Sequence, residues 1–450
     1  MVLAFFKNTV FITLLSLFSC GNSTSTPLNE QTSISNQKTI AEQTSSTTTE
    51  INTNIVFNNK PNDTTKRVGR TFIEDKNTIR TGANQFTAYM PLLKGKKVGI
   101  VANQTSIVND SLDYTDERRI VDNHLVDFIM EFDNQVVKVF APEHGFRGKA
   151  DAGEIVKDGV DVKTGIPIVS LYGKNKKPTQ EQLKDIDIMV FDIQDVGARF
   201  YTYISSLHYV MEACAEAGIP VIVLDRPNPN GHYIDGPILE REHASFVGMH
   251  PIPVVHGMTI GEYAQMINGE GWLKNSVKCD LTVIKMKQYN REMEYSLPIK
   301  PSPNLPNDVA INLYPSLCFF EGTIVSAGRG TETQFQVFGA PSLPSKIYNY
   351  QYTPQANEGA KYPKFKGETC NGLDLRQTPK LKLLNLEWLI DAYVANGKKK
   401  TFFNNFFVKL AGTNKLQEQI EKGYTAREIR KTWLKGLENY NQMRQQYFLY

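Results

Sequence analysis

The residues best suited to chemistry lie in a glycine-bounded loop at 142–148, Pro-Glu-His-Gly-Phe-Arg-Gly. The β-branched and aromatic run before it, at 136–140, is typical of a buried strand, and Pro142 ends that run. Glu143 and His144 are therefore expected at the end of a strand, where a glutamate in a tight loop can serve as a general acid. The alternative is an ordinary solvated loop glutamate.

Four other apolar runs end in polar side chains in the same way. Asn103 and Gln104 follow one run, Tyr172 follows another, residues 192–195 read Asp-Ile-Gln-Asp and residues 225–228 read Asp-Arg-Pro-Asn. Open parallel sheets bind ligands at the carboxyl ends of their strands. We therefore expect the five strand ends to converge on one polar crevice.

Hydrolysis of an acetal requires a second group, a carboxylate or part of the substrate, that stabilises an oxocarbenium-like transition state. Asp192 and Asp195 are the nearest carboxylates by topology, and we predict that they are catalytic together with Glu143. One of the two is expected to be structural and to cap the following helix. The sequence leaves open which one.

Arginines in polar or glycine-bearing loops suggest an acidic substrate, because a guanidinium group matches the geometry of a carboxylate or a phosphate. These arginines are Arg147, Arg199, Arg226 and Arg329. An ordinary surface position is the alternative for each of them.

Other side chains are suited to binding a sugar. The amides that can bind hydroxyl or acetamido groups are those of Asn103, Gln104, Asn228 and Asn304. Tyr172 and Tyr201 can stack on a sugar ring, whereas Tyr203, next to a predicted helix start, is expected in the core.

Metal, phosphate-loop and serine-nucleophile chemistry lack their sequence patterns. The loop histidines, His232, His243, His250 and His256, show no His-x-x-x-His spacing. The Gly-Arg-Gly-Thr at 328–331 has no following Gly-Lys-Ser/Thr, and no Gly-x-Ser-x-Gly occurs. We therefore expect no metal and no cofactor.

Alternating strands and helices predict a doubly wound α/β domain over residues 80–277. Continuous apolar runs predict strands at 97–102, 136–140, 166–171, 186–191 and 221–224. Helices are expected at 123–132 and 202–217, and a further helix begins at Thr259 with Glu262 as its capping-box partner. Residues 278–450 are expected to form a smaller α+β domain, opening with a strand at 281–286 and closing with helices at 384–396 and 426–447.

The N-terminus reads as a targeting segment. Lys7 precedes an apolar stretch at 10–18 that is too short to span a bilayer, and Cys20 follows a small residue, as in a bacterial lipoprotein signal peptide over residues 1–20. A plain secretory signal is the alternative. Residues 21–79, rich in Ser, Thr, Asn and Gln, are expected to be a disordered tether. A lipid on Cys20 would anchor the protein to a membrane of the cell envelope, with its folded body in the periplasm.

Composition narrows the possible partners. The net charge is +3, and no basic stripe interleaved with aromatic residues occurs, so we expect no nucleic-acid partner. The remaining cysteines are widely and irregularly spaced and are expected to be buried thiols; they are Cys214, Cys279, Cys318 and Cys370.

Five segments together resemble the NamZ-type exo-β-N-acetylmuramidases. They are Val-Ala-Asn-Gln-Thr-Ser at 101–106, the 142–148 loop, Asp-Ile-Gln-Asp-Val-Gly-Ala-Arg-Phe-Tyr-Thr-Tyr at 192–203, Leu-Asp-Arg-Pro-Asn-Pro at 224–229 and Glu-Gly-Thr…Gly-Arg-Gly-Thr at 321–331. The resemblance covers roughly residues 80–450. It implies a Rossmann-like N-terminal domain and a smaller C-terminal domain that frame a cleft.

The resemblance also implies an activity, the release of N-acetylmuramic acid from the non-reducing ends of peptidoglycan fragments during cell-wall turnover. Glu143 matches the catalytic acid, and the substrate's lactyl carboxylate is the acidic group that the arginines suggest. His144, Arg147 and Arg199 are expected to shape the site, and Glu321 to contact substrate. Two alternatives remain: a non-catalytic muropeptide-binding lipoprotein, and an amidase-type hydrolase, which the missing metal and nucleophile patterns disfavour.

Overall fold

A computed structural model of the chain describes residues 78–114, 117–147 and 158–450. The predicted signal peptide, Cys20 and nearly all of the predicted tether lie outside the described residues. None of the helices in these three ranges is both long and apolar enough to cross a bilayer.

The strands are β1 Lys97–Ala102, β2 Ile107–Tyr114, β3 Glu117–His124, β4 Gln135–Ala141, β5 Gly159–Val160, β6 Pro167–Ser170, β7 Ile188–Asp192, β8 Val221–Leu224, β9 Leu281–Ile284, β10 Val337–Ala340, β11 Tyr350–Tyr352 and β12 Cys370–Asp374. The helices are α1 Phe86–Leu93, α2 Leu125–Glu131, α3 Gln180–Leu183, α4 Tyr203–Ala217, α5 Ile260–Gly269, α6 Asp308–Leu317, α7 Glu387–Ala395, α8 Asn405–Ala411, α9 Lys415–Glu421, α10 Ala426–Lys431 and α11 Leu434–Gln445.

The main sheet has seven strands in the order β5-β6-β4-β1-β7-β8-β9, and every pairing except that of β5 with β6 is parallel. From β1 the chain adds β4 and β6 on one side and β7, β8 and β9 on the other. The strand order therefore reverses between β1 and β7, where a doubly wound sheet opens a crevice at the carboxyl ends of its strands. The predicted α/β class is confirmed.

Local signals fix several helix ends as the sequence predicts. Thr259 accepts from the Glu262 backbone N–H while the Glu262 side chain accepts from Thr259, so the capping box of α5 is present. Gly218 ends α4 in the left-handed conformation, with φ of 68°. The helix predicted at 123–132 begins only at Leu125, because β3 pairs with β2 along its full length up to His124.

Two predictions about the C-terminal part are corrected. Strand β9, expected to open a second domain, pairs with β8 in the main sheet, so the predicted boundary after residue 277 falls inside the first sheet. The helix predicted at 426–447 is two helices, α10 and α11, which are separated at Thr432 and Trp433. The remaining C-terminal strands form an antiparallel sheet in the order β10-β12-β11.

The main sheet and the C-terminal elements share one hydrophobic core. Phe200, before α4, packs edge-on against Tyr314 of α6 and against Phe319, with ring centroids 5.3 Å and 6.0 Å apart. The cysteines expected to be buried thiols, Cys214, Cys279, Cys318 and Cys370, are all free and buried. The shared core holds the C-terminal elements against the carboxyl ends of the strands.

Candidate active site

A cleft of about 550 Å³ lies beside the carboxyl ends of β4 and β6 and the N-terminus of α4. This volume is ordinary for a small-molecule site. Its lining residues are Glu143, His144, Tyr172, Gly173, Lys176, Phe200, Tyr201, Thr202, Ser245, Phe246, Val247, Ser302, Asn304, Leu305, Tyr314, Cys318, Glu321, Arg329, Phe335, Phe406, Lys409 and Leu410.

The turn after β4 places Glu143 in this cleft. The Gly145 N–H donates to Pro142 O over 3.0 Å, and His144 and Gly145 both have positive φ, 72° and 78°. A left-handed conformation costs a residue such as His144 on the order of 1 kcal/mol, and strained residues of this kind cluster at functional sites. Glu143 is half-buried, while His144 is buried against the cleft wall.

Two hydroxyl groups surround the Glu143 carboxylate. Thr202, at the N-cap position of α4, donates its hydroxyl to Glu143 Oε2 over 2.8 Å. Burial, together with the charge of Glu143 and a hydrogen bond to it, raises the pKa of Tyr172 above its ordinary value. Tyr172 therefore stays protonated and serves as a donor to this carboxylate.

Among the described residues, Glu321 is the other carboxylate that lines the cleft, and it lies in a short 3-10 helix after α6. Arg329 Nη1 donates to Glu321 Oε1 over 3.1 Å, and Arg329 Nη2 donates to Gly359 O over 3.1 Å. Asn304 Nδ2 donates to the same Gly359 carbonyl over 2.6 Å. The predicted residues Asn304, Glu321 and Arg329 thus form one connected wall of the cleft.

A lysine whose ammonium group is surrounded by backbone carbonyls supports the segment that carries Glu321. Lys364 Nζ donates to Phe320 O over 2.9 Å and to Thr323 O over 2.7 Å, on either side of Glu321. Burial lowers the pKa of Lys364 to about 8. Lys364 is missing from the sequence-based site because its role depends on contacts with a segment distant in the chain.

Two predicted site residues instead pair with each other. Arg226 Nε and Nη2 bond Asp192 Oδ1 and Oδ2 over 2.6 Å and 2.8 Å, and Asp192 is fully buried. Asp195 Oδ2 accepts from Gly197 N over 2.7 Å and faces His256 Nε2 at 3.3 Å. None of Asp192, Asp195 and Arg226 lines the cleft, and neither aspartate caps α4. Both aspartates thus lie outside the cleft lining, and their catalytic roles stay predictions.

The other arginines expected to bind substrate are also engaged elsewhere. Arg147 bonds Asp161 through Nε and Nη2 over 3.3 Å and 2.8 Å. Arg199 is fully buried, and its Nη1 and Nη2 donate to four backbone carbonyls, those of Pro237, Ile252, Leu410 and Ala411. Neither lines the cleft. Arg199, which has no exposed surface, is corrected to a structural residue, whereas the contact of the partly exposed Arg147 with an acidic substrate stays a prediction.

Three predicted amide ligands hold loops instead of lining the cleft. Asn103 Nδ2 donates to the Tyr203 hydroxyl over 2.9 Å, and Gln104 Nε2 donates to Pro301 O over 3.1 Å. Asn228 Nδ2 donates to Met258 O over 2.9 Å. Tyr203 is buried, as predicted.

Several cleft residues were not predicted from the sequence. They include Lys176, Thr202, Phe246, Phe406 and Lys409. Thr202 lies within the 192–203 segment and was detectable there as a hydroxyl before a helix. Phe406 and Lys409 come from α8, far along the chain, and no local pattern connects them with the sheet.

Among the described residues, the potential metal ligands Glu240, Glu242 and His243 come together outside the cleft. Glu240 Oε2 already accepts from the Thr413 hydroxyl over 2.9 Å, and its carboxylate also pairs with Lys415. Inside the cleft the arrangement offers two carboxylates, aromatic rings and cationic groups, which suits acid–base chemistry on a polar ring.

Comparisons with known proteins identify similar chains. Family models of the N-terminal and C-terminal parts of the exo-beta-N-acetylmuramidase NamZ match residues 98–309 and 312–450. The peptidoglycan beta-N-acetylmuramidase NamZ of Bacillus subtilis (strain 168) is 40% identical over 398 residues, which cover 83% of this chain and 92% of that protein.

Two crystal structures of DUF1343 family proteins from Bacteroides fragilis NCTC 9343 have the same fold. Their TM-scores are 0.74 and 0.69 at 45% and 30% identity, and each comparison covers 83% of this chain and 99% of the other. Given the family-model matches and the identity to the Bacillus protein, the chain belongs to the NamZ family of exo-β-N-acetylmuramidases.

Proposed function

We propose that the protein is a glycoside hydrolase that releases N-acetylmuramic acid from the non-reducing ends of peptidoglycan fragments. The observation that carries this proposal is that Glu143 and Glu321, on separate elements, line the same cleft. Most glycoside hydrolases cleave the glycosidic bond with a pair of carboxylates. The name of the Bacillus relative supports peptidoglycan as the substrate.

The partners of the two carboxylates differ, which suits different roles. Glu143 is bonded by hydroxyl groups and acts as the general acid, giving its proton to the glycosidic oxygen as the bond from C1 breaks. Glu321 is ion-paired with Arg329 and takes the place of Asp192 and Asp195 as the protein's second carboxylate. Glu321 then attacks C1 or activates water, or the substrate's acetamido oxygen attacks C1 while Glu321 orients the sugar.

The structure disfavours both alternatives. A site that only bound an anionic muropeptide would gain nothing from two carboxylates in its cleft, since like charges repel. A thiol-dependent amidase would need a reactive cysteine, and Cys318 is the cysteine that lines the cleft. Burial raises the pKa of the Cys318 thiol well above its ordinary value, and the neighbouring Glu321 raises it further, so this thiol is a poor nucleophile.

Purified protein should be assayed on a chromogenic β-N-acetylmuramoside and on the matching β-N-acetylglucosaminide. We expect hydrolysis of the muramoside and a strong preference for it over the glucosaminide. Calorimetric binding of N-acetylmuramic acid to the same preparation serves as the folding control. Binding without hydrolysis of any muramoside would support the binding lipoprotein instead.

We also propose that the protein is a lipoprotein of the cell envelope. Lys7, the apolar stretch at 10–18 and Cys20 support this proposal. Wild-type protein should be recovered from the membrane fraction by detergent, and Cys20→Ala should lose this association. Recovery of the wild type in the soluble fraction would contradict the anchor.

A further inference from the structure

The cationic side chains of the cleft differ in their partners. Among the described residues, the lysines and arginines that line the cleft are Lys176, Arg329 and Lys409. The charge of Arg329 is paired with Glu321. Neither Lys176 nor Lys409 forms an ion pair with any residue in the described ranges. The two lysines therefore bring positive charge to the cleft, and no carboxylate of the described residues forms an ion pair with either of them.

Lys176 is held at the cleft by an aromatic ring. Its Nζ lies 4.4 Å from the centroid of the Phe246 ring, and the residue is half-buried. A cation over a ring face keeps its N–H groups available for a further acceptor. The next residue, Lys177, lies differently and pairs with Glu212 and Glu216 at 2.7 Å each. The loop thus places one of two neighbouring lysines in the cleft and the other in an ion-pair network.

The same loop connects Lys176 to the proposed acid. Tyr172 begins the loop and interacts with Glu143. Lys176 and Tyr172 both line the cleft, so an anion bound by Lys176 lies in the cavity that receives the scissile bond. Lys409, by contrast, is exposed on α8. Ionic contacts of exposed lysines are weakened by solvent and by side-chain entropy.

We propose that Lys176 binds the lactyl carboxylate of N-acetylmuramic acid and thereby sets the preference for muramosides over glucosaminides. This inference rests on the proposed function. The four arginines that the sequence suggests for this task already have protein partners, namely Asp161 for Arg147, backbone carbonyls for Arg199, Asp192 for Arg226 and Glu321 for Arg329. Phe246 preorganises the ammonium group, so little side-chain freedom is lost when the carboxylate arrives.

The test is a double-mutant cycle between Lys176 and the substrate carboxylate. Wild type and Lys176→Gln are assayed on a β-N-acetylmuramoside and on the same compound with its lactyl carboxylate converted to a primary amide. We expect Lys176→Gln to lower kcat/KM for the acid by roughly 10- to 100-fold, the usual range for a lost hydrogen bond between charged groups, and to lower it much less for the amide. Equal losses on both compounds would indicate a merely structural role and overturn the proposal.

Three variants complete the design. Lys176→Arg keeps the charge and should recover most of the selectivity, whereas Lys174→Gln, an exposed residue of the same loop outside the cleft lining, should behave as wild type. Lys409→Gln tests the other unpaired cation. If this variant loses the acid-over-amide preference while Lys176→Gln keeps it, the carboxylate site belongs to α8 and the proposal is wrong.

Binding provides a readout that does not depend on turnover. Calorimetry with N-acetylmuramic acid and its lactyl amide should show a preference for the acid in wild type that Lys176→Gln loses. This result with no hydrolysis would retain the inference and reject the proposed function. Hydrolysis of the muramoside together with an intact preference in Lys176→Gln would reject the inference and retain the proposed function.

Discussion

Thr202 donates its hydroxyl to Glu143 Oε2 over 2.8 Å and thereby joins the N-cap position of α4 to the loop after β4. Thr202 makes no side-chain capping bond to its own helix, so its hydroxyl is free to orient the carboxylate. A general acid must be held within reach of the departing oxygen, and Thr202 and Tyr172 provide that hold. If Glu143 is this acid, the loss of turnover on removing it should depend on how much protonation the leaving group needs.

Glu143→Gln keeps the shape of the side chain but removes its transferable proton. We expect turnover on a natural disaccharide to fall by roughly 100- to 10,000-fold, while binding of N-acetylmuramic acid persists. The deficit should shrink on aryl muramosides whose leaving groups have low pKa, since these need less protonation. A leaving-group series on both proteins at matched pH measures this, with Glu181→Gln on the exposed face of α3 as a control. Near-normal turnover on the disaccharide would move the acid elsewhere, with Glu321 next to be tested.

Glu321 and Asp192 should respond in opposite ways to neutralisation. Glu321→Gln changes a carboxylate of the cleft and should lower kcat by at least about 100-fold with a small change in stability. Asp192→Asn leaves the buried Arg226 without its counter-charge and should lower the free energy of unfolding by roughly 3–5 kcal/mol. Kinetics and urea denaturation of both variants separate the two effects. A stable, inactive Asp192→Asn protein would restore the catalytic role expected from the sequence.

The positions of most strands of the main sheet were predictable because continuous apolar runs are local signals. The run at 221–224 became β8 without change, and that at 97–102 became β1. Strands β2 and β3 were not predicted because each has few apolar residues, interspersed with polar and charged ones, and so forms no continuous apolar run. Their stability depends on pairing with each other. Strand β9 was found, but its place beside β8 depends on contacts between distant segments.

The site was predictable only in part for a related reason. Glu143 and Tyr172 reach the cleft from strand ends, as expected. Asp192 and Arg226 also follow the expected topology, but β7 and β8 are neighbours in the sheet, so the opposite charges at their ends meet and pair. Sequence alone does not distinguish strand ends that face a ligand from those that face each other. Lys409 comes from α8, which no pattern places near β4.

Arg199 should prove essential to the fold and unnecessary to the chemistry. It is fully buried, and its guanidinium donates to carbonyls of Ile252 and Leu410 among others, joining α8 to the sheet domain. Arg199→Met leaves several buried carbonyls without donors and should cost at least about 3 kcal/mol of unfolding free energy. Arg147→Met, at a partly exposed ion pair, should cost about 1 kcal/mol or less. Chemical denaturation gives both values, and a fully stable Arg199→Met protein with impaired muramoside binding would contradict this assignment.

His124 should make stability depend on pH. Its Nδ1 accepts from Val126 N over 3.3 Å and its Nε2 lies 2.9 Å from Asn103 O, so the buried ring is neutral with its proton on Nε2. Burial, the largest cause, lowers its pKa to about 4. The unfolded chain, with a histidine pKa near 6.5, then binds more protons than the folded one between these values. The free energy of unfolding contributed by His124 is therefore fully present above about pH 6.5 and is lost as pH falls towards 4.

His124→Asn removes this titration and keeps an oxygen that can cap α2. Wild type should be the more stable protein near neutral pH, and the difference should shrink by up to roughly 3 kcal/mol as pH falls from about 7 to about 4. Urea denaturation of both proteins across this range measures the difference, and contributions from carboxylates common to both cancel. A difference that stays constant with pH would mean that His124 titrates alike in the folded and unfolded chains, contrary to its buried, hydrogen-bonded position.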